Sequence, residues 1–332
     1  MFDSGIFPWN GRQDDLHLHE RPVQKRARPT IGLALGGGAA RGWAHIGVIK
    51  KLVEAGIVPD IIAGTSIGAV VGGCYAAGGI TELEQFARDL SKRRVFGLMD
   101  FNFAGSGLIT GNRLATILKK GLGDIQIEDL QHKFVCIATE LGTGHEIWLS
   151  KGHLVQSMRG SYAMPGLFKP VKVHDRWLID GALVNPVPVS ACRAFGARLV
   201  IAVNLSTDIY GKGTVVRSHD PVARSPRPEP DYSESESAPD GARTLLRRQL
   251  VGDSDPGSPP GISAVMVDAF NIVQDRIARS RLAGDPPDIT ISPQVGQIGL
   301  FEFHRAAEAI EIGARASERV LANIDDAVVA LS

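Results

Sequence analysis

Near the start of the chain, two short apolar segments each end in a glycine-rich turn that leads into a helix-like stretch. Residues 31–35 run into three glycines at 36–38, and residues 61–63 run into Gly-Thr-Ser-Ile-Gly at 64–68. Repeated strand–turn–helix units predict a largely parallel sheet covered by helices, because parallel strands need a crossover connection. The glycine segment can direct backbone N–H groups at an anion, and the second turn can present a serine hydroxyl. Together these groups are the minimum equipment for acyl transfer.

The second turn places Ser66 between two glycines and in front of a small, apolar stretch. Such a stretch predicts a helix packed tightly on the sheet, with the serine on a sharp strand-to-helix turn. There the positive end of the helix dipole favours a developing negative charge. A plain helix cap is the alternative, because serine is a common N-cap residue.

The triple glycine fits neither of two common phosphate-binding patterns. A dinucleotide fingerprint counted from Gly36 needs a glycine where the chain has Arg41, and no Walker A run of Gly-Lys-Ser/Thr follows. What remains is a flexible loop that leads into a helix predicted over 43–55. Arg41 can pin this loop to backbone carbonyls or attract an anionic head group, and the sequence leaves both roles open.

An aspartate is the conspicuous candidate for the base. Residues 171–179 predict a hairpin with its turn at 174–175, and the second strand leads into an Asp-Gly-Ala run that starts at Asp180. Asp180 then lies at the rim of the sheet, although an ordinary Asp-Gly turn is the alternative. The histidines that follow Ser66 lie in no small-residue catalytic turn. A Ser-His-Asp arrangement that uses His304 stays open.

These motifs resemble, in order and setting, those of the patatin-like phospholipases: the glycine run at 36–42, Gly-Thr-Ser-Ile-Gly at 64–68 and Asp-Gly-Ala at 180–182. More narrowly, the chain is similar to the bacterial RssA-type branch, related to the catalytic domain of neuropathy target esterase. The similarity covers residues 30–205 and resumes at 280–288.

The resemblance implies a patatin-like three-layer sandwich, with a largely parallel central sheet flanked by helices, and a Ser–Asp dyad without a catalytic histidine. Ser66 is then the nucleophile, Asp180 the base, and the N–H groups of Gly36, Gly37 and Gly38 the oxyanion hole. The implied activity is that of a serine acyl hydrolase of the phospholipase A or lysophospholipase type, which acts through an acyl-Ser66 intermediate. It needs no metal or other cofactor, and its substrate is a phospholipid or lysophospholipid.

The resemblance also places an apolar region beside the pocket, so that Met164, Leu167 and Phe168 are expected to contact the acyl chain and Arg41 the substrate. Ordinary core packing is the alternative for the three apolar residues. Plant patatins have aspartate where this chain has Leu35, which leaves head-group and chain-length preference open. A broad carboxylesterase on soluble esters and a weakly active regulatory protein remain alternative functions.

An aspartate base needs a raised pKa, because its usual value of about 3.9 is too acidic to take a serine proton efficiently. Desolvation between apolar neighbours such as Leu178 and Ile179 is expected to raise the pKa of Asp180. The same dry surroundings strengthen hydrogen bonds to the serine and to the oxyanion.

The amino-acid composition limits the binding partners and the cellular compartment that are expected for this chain. The 36 Lys and Arg residues balance the 36 Asp and Glu residues, which argues against non-specific nucleic-acid binding. Cys74, Cys136 and Cys192 lie in apolar stretches and predict buried free thiols in a reducing compartment. A cytoplasmic protein is therefore expected, with peripheral contact at the inner face of the membrane and the oligomeric state left open.

Four segments are predicted along the chain: a mobile extension over 1–29, a catalytic domain over 30–205, a disordered insert over 206–260, and C-terminal helices and a strand over 261–332 that complete the domain. The extension has no apolar core run and so predicts neither a secretory signal nor a membrane span. The insert is rich in Ser, Pro, Asp, Glu and Arg and cannot bury enough apolar surface to order itself. Two long helices are predicted beyond it, over 262–281 and 303–329.

Overall fold

The computed structural model describes residues 28–98, 111–208 and 262–332. Its strands are β1 (Ile31–Leu35), β2 (Ile61–Thr65), β3 (Lys133–Glu140), β4 (Glu146–Leu149), β5 (Val171–Val173), β6 (Arg176–Asp180), β7 (Leu199–Val203) and β8 (Ile289–Ile291). Its α-helices are α1 (Ala44–Glu54), α2 (Ile67–Ala76), α3 (Ile80–Arg88), α4 (Lys92–Leu98), α5 (Asn112–Leu122), α6 (Leu154–Tyr162), α7 (Val189–Ala194), α8 (Ile262–Gly284), α9 (Ala306–Glu318) and α10 (Leu321–Leu331). Short 3-10 helices cover Ala39–Trp43, Ile127–Asp129, Gly181–Leu183 and Phe303–Arg305.

The strands form one mixed sheet in the order β5-β6-β3-β2-β1-β7-β8, with β4 also paired to β3. Strands β1, β2, β3, β7 and β8 are mutually parallel, whereas β4 and β6 run antiparallel to β3 and β5 antiparallel to β6. The predicted fold class, a largely parallel sheet flanked by helices, is confirmed. Because β1 and β2 are parallel neighbours, the turns that follow them lie side by side at one edge of the sheet.

Strand register brings the predicted serine and aspartate to that same edge. Thr65, the last residue of β2, pairs with Ile137, and the next residue of β3, Ala138, pairs with Asp180. Ser66 directly follows Thr65 in the chain. The two side chains are therefore placed together by the ladder itself, although 114 residues separate them in sequence.

Helix α1 packs against α9 so closely that their backbones touch. A Cβ added to Gly47 would overlap the carbonyl oxygen of Ile310, and one added to Gly313 would overlap that of Ala44. Glycine is required at both positions because a neighbouring backbone cannot move aside as a flexible side chain can. The C-terminal part of the chain is thereby packed on the helix that follows the glycine loop.

The prediction of one continuous helix over 303–329 is wrong. A 3-10 turn at Phe303–Arg305 precedes α9, and the chain leaves helical geometry at Val320, where φ is −118° and ψ is 0°. The hydroxyl of Ser317 donates to the Gly313 carbonyl oxygen, a back-bond that bends helices. Beyond the break, α10 buries Ile324 completely. Periodicity alone did not reveal it, because both helices are amphipathic.

Most of the predicted extension (1–29) and of the predicted insert (206–260) lies outside the described residues. Within the described ranges, no helix combines the length and the apolar composition needed to cross a membrane.

Candidate active site

Ser66 occupies a sharp turn between β2 and α2, with φ of 56° and ψ of −123°. This conformation is strained for a residue with a side chain, and such strain concentrates at functional sites. The flanking glycines are steric requirements: a Cβ at Gly64 would lie 2.6 Å from the Ala69 nitrogen, and one at Gly68 would overlap the Leu35 carbonyl oxygen. The Gly-Thr-Ser-Ile-Gly sequence therefore builds the strand-to-helix turn that the sequence predicts.

The Ser66 hydroxyl donates a hydrogen bond to Asp180 Oδ2 at 2.6 Å. The other carboxylate oxygen, Oδ1, accepts the Ala182 N–H at 2.8 Å. Asp180 is fully buried and Ser66 is nearly so. The two residues that the resemblance names as a dyad are thus in direct contact.

Burial raises the pKa of Asp180 to about 7, whereas the hydrogen bonds from Ser66 and Ala182 act in the opposite direction. Desolvation dominates because an ionised carboxylate loses its water shell here. The direction is the one expected from the apolar neighbours. With this pKa, Asp180 is a far better proton acceptor for a serine than an ordinary aspartate, yet it is still substantially ionised near neutral pH.

Helix α6 and the residue after it hold the backbone of both dyad residues through hydrogen bonds. The Ser66 N–H donates to Ser161 Oγ at 2.9 Å, and this hydroxyl donates to the Ile137 carbonyl oxygen at 2.6 Å. The Asp180 N–H donates to the Ala163 carbonyl oxygen at 2.9 Å. Sequence reasoning missed Ser161, because a serine within a helix carries no recognisable signal.

The glycine loop differs in detail from the predicted oxyanion hole. The N–H groups of Gly36 and Gly37 donate to the carbonyl oxygens of Val203 and Pro186 at 3.1 and 3.0 Å. These two donors are therefore engaged by backbone carbonyl oxygens, unlike the free donors that the expected oxyanion hole needs. Within the described ranges, the N–H groups of Gly38 and the following residue, Ala39, have no hydrogen-bond acceptor.

His45 holds the glycine loop through a hydrogen bond to its backbone. Its Nε2 donates to the Gly36 carbonyl oxygen at 2.8 Å, and the side chain is completely buried in α1. Burial lowers the pKa of His45 to about 4, so that the ring is neutral near pH 7. Sequence reasoning missed this histidine, because it precedes Ser66 whereas the candidates for a base follow it.

Arg41 and its neighbours join the loop to the C-terminal part of the chain. The Arg41 side chain is buried, and its Nε donates to the Ile298 carbonyl oxygen at 2.7 Å. The Ala40 N–H donates to the Leu300 carbonyl oxygen at 3.0 Å. Of the two roles that the sequence leaves open for Arg41, this bond supports the pinning of the loop.

An apolar cavity of about 120 Å³ begins at Ser66. All three side chains expected to contact an acyl chain, Met164, Leu167 and Phe168, line it. The rest of its lining comes from Ala39, Trp43, Ile67, Val70, Leu83, Phe86, Leu90, Val95, Gly111, Leu114, Tyr162, Phe301 and Phe303. A concave space that is almost wholly apolar beside a hydroxyl suits a hydrocarbon chain with a polar end.

The three cysteines play no part in this site. Cys74, Cys136 and Cys192 are buried free thiols, as predicted. Burial raises the pKa of Cys74 and Cys192 to about 12 and that of Cys136 in the same direction, so the thiols stay protonated and inert. The described residues contain no group of three or more His, Cys, Asp or Glu side chains arranged to hold a metal ion.

Comparison with known proteins agrees with these motifs. A family model described as Patatin-like phospholipase matches residues 33–193. An uncharacterised NTE family protein of Mycobacterium tuberculosis is 32% identical over 352 aligned positions, which cover 92% of this chain and 95% of that protein. The lysophospholipase nte1 of Emericella nidulans is 32% identical over 236 positions, which cover 66% of this chain and 15% of that protein.

Among solved structures, VipD of Legionella pneumophila gives a TM-score of 0.45 at 12% identity, covering 89% of this chain and 67% of that one. The near full-length match to the mycobacterial NTE family protein and the patatin-like match to residues 33–193 agree with each other. The chain belongs to the NTE family, with a patatin-like phospholipase match over residues 33–193, and is a carboxylic ester hydrolase.

Proposed function

We propose that this chain is a serine acyl hydrolase of the phospholipase A or lysophospholipase type, which cleaves lipid esters through an acyl-Ser66 intermediate. One observation carries the proposal: Ser66 Oγ donates to a buried carboxylate at 2.6 Å and borders an apolar cavity. The name of the Emericella nidulans relative, a lysophospholipase, supports the lipid ester as substrate.

In the proposed acylation step, ionised Asp180 accepts the Ser66 hydroxyl proton while Oγ forms a bond to the ester carbonyl carbon. The tetrahedral intermediate then collapses, the bond to the alcohol oxygen breaks, and Asp180 returns the proton to the departing alcohol. In deacylation, water attacks the acyl-Ser66 ester and gives a proton to Asp180. This proton returns to Ser66 Oγ as the fatty acid leaves.

For the oxyanion, we propose the N–H groups of Gly38 and Ala39 together with that of Ile67, the first residue of α2. The first N–H groups of an α-helix have no partner inside the helix, so Ile67 can donate to a charge that develops beside Ser66. Ala39 has a strained backbone, with φ of 47°, and lines the cavity. The carbonyl oxygens of Val203 and Pro186 hold the preceding glycines and thereby set the direction of these donors.

The alternatives that the sequence leaves open are separable. Among the described residues, no histidine is hydrogen-bonded to Ser66, which favours the dyad over a triad that uses His304. A weakly active regulatory protein would not be labelled at Ser66 by a fluorophosphonate. A broad carboxylesterase would hydrolyse short aryl esters much faster than lysophospholipid in micelles, whereas we expect the lysophospholipid to be the better substrate.

The pH dependence of turnover tests the base. We expect kcat/KM on a soluble ester to rise with pH up to about 7 and to level off above it, because only ionised Asp180 accepts the serine proton. Below this value, kcat/KM should fall about tenfold for each pH unit. The rate of fluorophosphonate labelling should follow the same curve. A profile that stays flat down to about pH 5 would contradict the assignment, since an ordinary pKa of about 3.9 would then suffice.

We also propose peripheral contact with a lipid surface through α8. Four apolar side chains lie on one exposed face of this helix: Val265 and Met266 at 48% exposure, Ile272 at 45% and Val273 at 43%. Their spacing repeats after seven residues, as a single helical stripe does. A Cβ at Gly166 would lie 2.9 Å from Met266 Cε, so this stripe is next to the loop that lines the acyl cavity. A lipid chain could therefore pass from the lipid surface into the cavity.

Charged substitutions in the stripe should weaken binding to vesicles of phosphatidylcholine and phosphatidylglycerol by about tenfold. The reason is that the substituted side chains no longer transfer apolar surface from water into the lipid. The variant is Ile272→Asp with Val273→Asp, in a Ser66→Ala background that cannot consume the lipid, measured by vesicle sedimentation. The matched control is Val329→Asp, since Val329 is 74% exposed on α10. Equal binding by both variants would contradict the proposal that α8 is the contact surface.

A further inference from the structure

Residues 180–187 begin with the proposed base and reach the other two parts of the site; we call them the connecting segment. The carbonyl oxygen of Asn185 accepts a hydrogen bond from the hydroxyl of Thr65, the residue before the nucleophile, at 2.8 Å. The carbonyl oxygen of Pro186 accepts the N–H of Gly37, in the glycine loop, at 3.0 Å. The base, the nucleophile and the glycine loop are therefore held by one short stretch of backbone.

The side chain of Asn185 anchors the connecting segment to the rest of the fold. This side chain is buried, and its Nδ2 donates to Glu146 Oε1 at 2.7 Å and to Ser190 Oγ at 3.1 Å. An ionised carboxylate only accepts hydrogen bonds, so the amide nitrogen must be the atom that faces Glu146. Glu146 is itself held by Arg281, whose guanidinium donates to Oε2 at 2.7 Å. The connecting segment is thereby linked through side chains to β4, α7 and α8.

The other end of this amide is unsatisfied. Asn185 Oδ1 is buried, and within the described part of the chain it accepts no hydrogen bond. A buried oxygen without a donor is costly, and an apolar side chain of the same shape would avoid this cost. Stability is therefore a weak explanation for an amide at this position. Its distinctive contribution is a pair of directed N–H bonds, which fix the backbone whose carbonyl oxygens hold Thr65 and Gly37.

We propose that Asn185 is a positioning residue for ester hydrolysis. Its amide fixes the connecting segment, and this segment sets the distance between Asp180 and Ser66 and the direction of the N–H groups in the glycine loop. Asn185 does not line the acyl cavity, so it acts through these groups and not through the acyl chain. Misplacement of a catalytic group by about 1 Å can lower a rate about a hundredfold, which makes such an anchor effective. The inference rests on the proposed function, because it concerns the geometry of the proposed dyad and oxyanion donors.

Removal of the amide with little change in side-chain shape tests this role. We expect Asn185→Leu to lower kcat on a soluble ester about a hundredfold and to change KM by less than about twofold. The inflection of the pH profile should stay at about 7, because Asp180 remains buried. The matched control is Gln156→Met, since the amide of Gln156 donates to the Lys172 carbonyl oxygen in β5 and contacts no part of the dyad. Its kcat should stay within about twofold of wild type.

Glu146 provides a second test, which holds even if Asn185→Leu does not fold. Glu146→Ala removes the acceptor of the amide and should lower kcat about tenfold, whereas Glu146→Gln keeps an oxygen for the amide and should stay within about threefold of wild type. In a chain that already carries Asn185→Leu, Glu146→Ala should not lower kcat further, because both changes break one bond. A lower melting temperature with normal kcat per folded molecule would overturn the inference in favour of a purely structural role. An equal loss of kcat in Glu146→Ala and Glu146→Gln would overturn it as well.

Hydrogen–deuterium exchange separates this inference from the proposed function, because it needs no activity. Asn185→Leu should speed amide exchange about tenfold or more in peptides that cover residues 33–43 and 181–190, whereas Gln156→Met should not. If wild type neither hydrolyses esters nor is labelled at Ser66 by a fluorophosphonate, the proposed function fails, whereas faster exchange in these peptides still supports the anchor. If wild type is active but exchange in both peptides is unchanged in Asn185→Leu, the positioning role alone is wrong.

Discussion

Ser66→Ala and Asp180→Asn should each lower ester turnover by roughly four orders of magnitude, because each removes one half of a single proton-transfer unit. The double variant should be no slower than the slower single variant, since residues that act as a unit are not additive. Single-turnover kinetics on a soluble ester measure this, with far-UV circular dichroism as the check on folding. If Asp180→Asn retained a tenth of wild-type turnover, the base would have to be another group.

The same Asp180→Asn variant should be more stable than wild type above neutral pH. The pKa of Asp180 is about 7 in the folded chain and 3.8 in its ordinary state, so between these values the native protein holds a proton that the unfolded chain releases. The contribution of Asp180 to the free energy of unfolding is therefore fully present below the pKa of the unfolded chain, and it is lost as pH rises towards the pKa of the folded chain. At about pH 8 the loss amounts to roughly 4 kcal/mol.

Urea denaturation at about pH 8 and at about pH 4 measures this effect. We expect the advantage of Asp180→Asn over wild type to be large at the higher pH and small at the lower, where Asp180 is protonated in the folded chain and only partly ionised in the unfolded one. The asparagine keeps an oxygen for the Ala182 N–H, so the comparison isolates the charge. An advantage that is the same at both pH values would show that burial does not perturb Asp180 as described.

Gly47→Ala should be among the most destabilising single-methyl changes in this chain. The added Cβ would overlap the Ile310 carbonyl oxygen, so α1 and α9 would have to separate. We expect a loss of about 3 kcal/mol or more in the free energy of unfolding. Because α1 carries His45, which holds the glycine loop through Gly36, turnover per folded molecule should fall as well.

Gly121→Ala is the matched control for this prediction. Gly121 also lies in an α-helix, α5, but a Cβ added there would meet no heavy atom within 4 Å. Alanine at this position should be neutral or stabilise by about 0.5–1 kcal/mol, through helix propensity alone. If Gly47→Ala and Gly121→Ala had similar effects on the urea midpoint, the close contact between α1 and α9 would not hold in solution.

The parts of the site that the sequence predicts are those in which a local steric demand leaves a residue pattern. The turn at Ser66 needs glycine on both sides, and an aspartate that ends a strand before Gly181 is equally visible. The partners of the glycine loop leave no such pattern. Val203 and Pro186 accept from Gly36 and Gly37 through backbone oxygens, which any residue type supplies.

The break at Val320 and the burial of Gln274 escaped prediction for a related reason. Both depend on which surface a helix meets after the chain has folded, and periodicity describes only the helix itself. Polar residues favour the solvent-facing side of a helix, whereas the structure buries Asn271, Gln274 and Asp275 of α8 and leaves apolar residues of the same helix exposed. Such a reversal becomes visible only in three dimensions.

The link between the glycine loop and the C-terminal part of the chain has a consequence for biosynthesis. Arg41 and Ile298 are 257 residues apart in sequence, and Gly47 meets α9 at a similar separation. A ribosome delivers Ser66 and the loop early, but the contacts that fix the loop arrive only when α9 has emerged. We therefore expect nascent chains stalled before α9 to contain the serine turn and yet to be hydrolytically silent. Late completion of this kind keeps the site inactive until α9 has been synthesised.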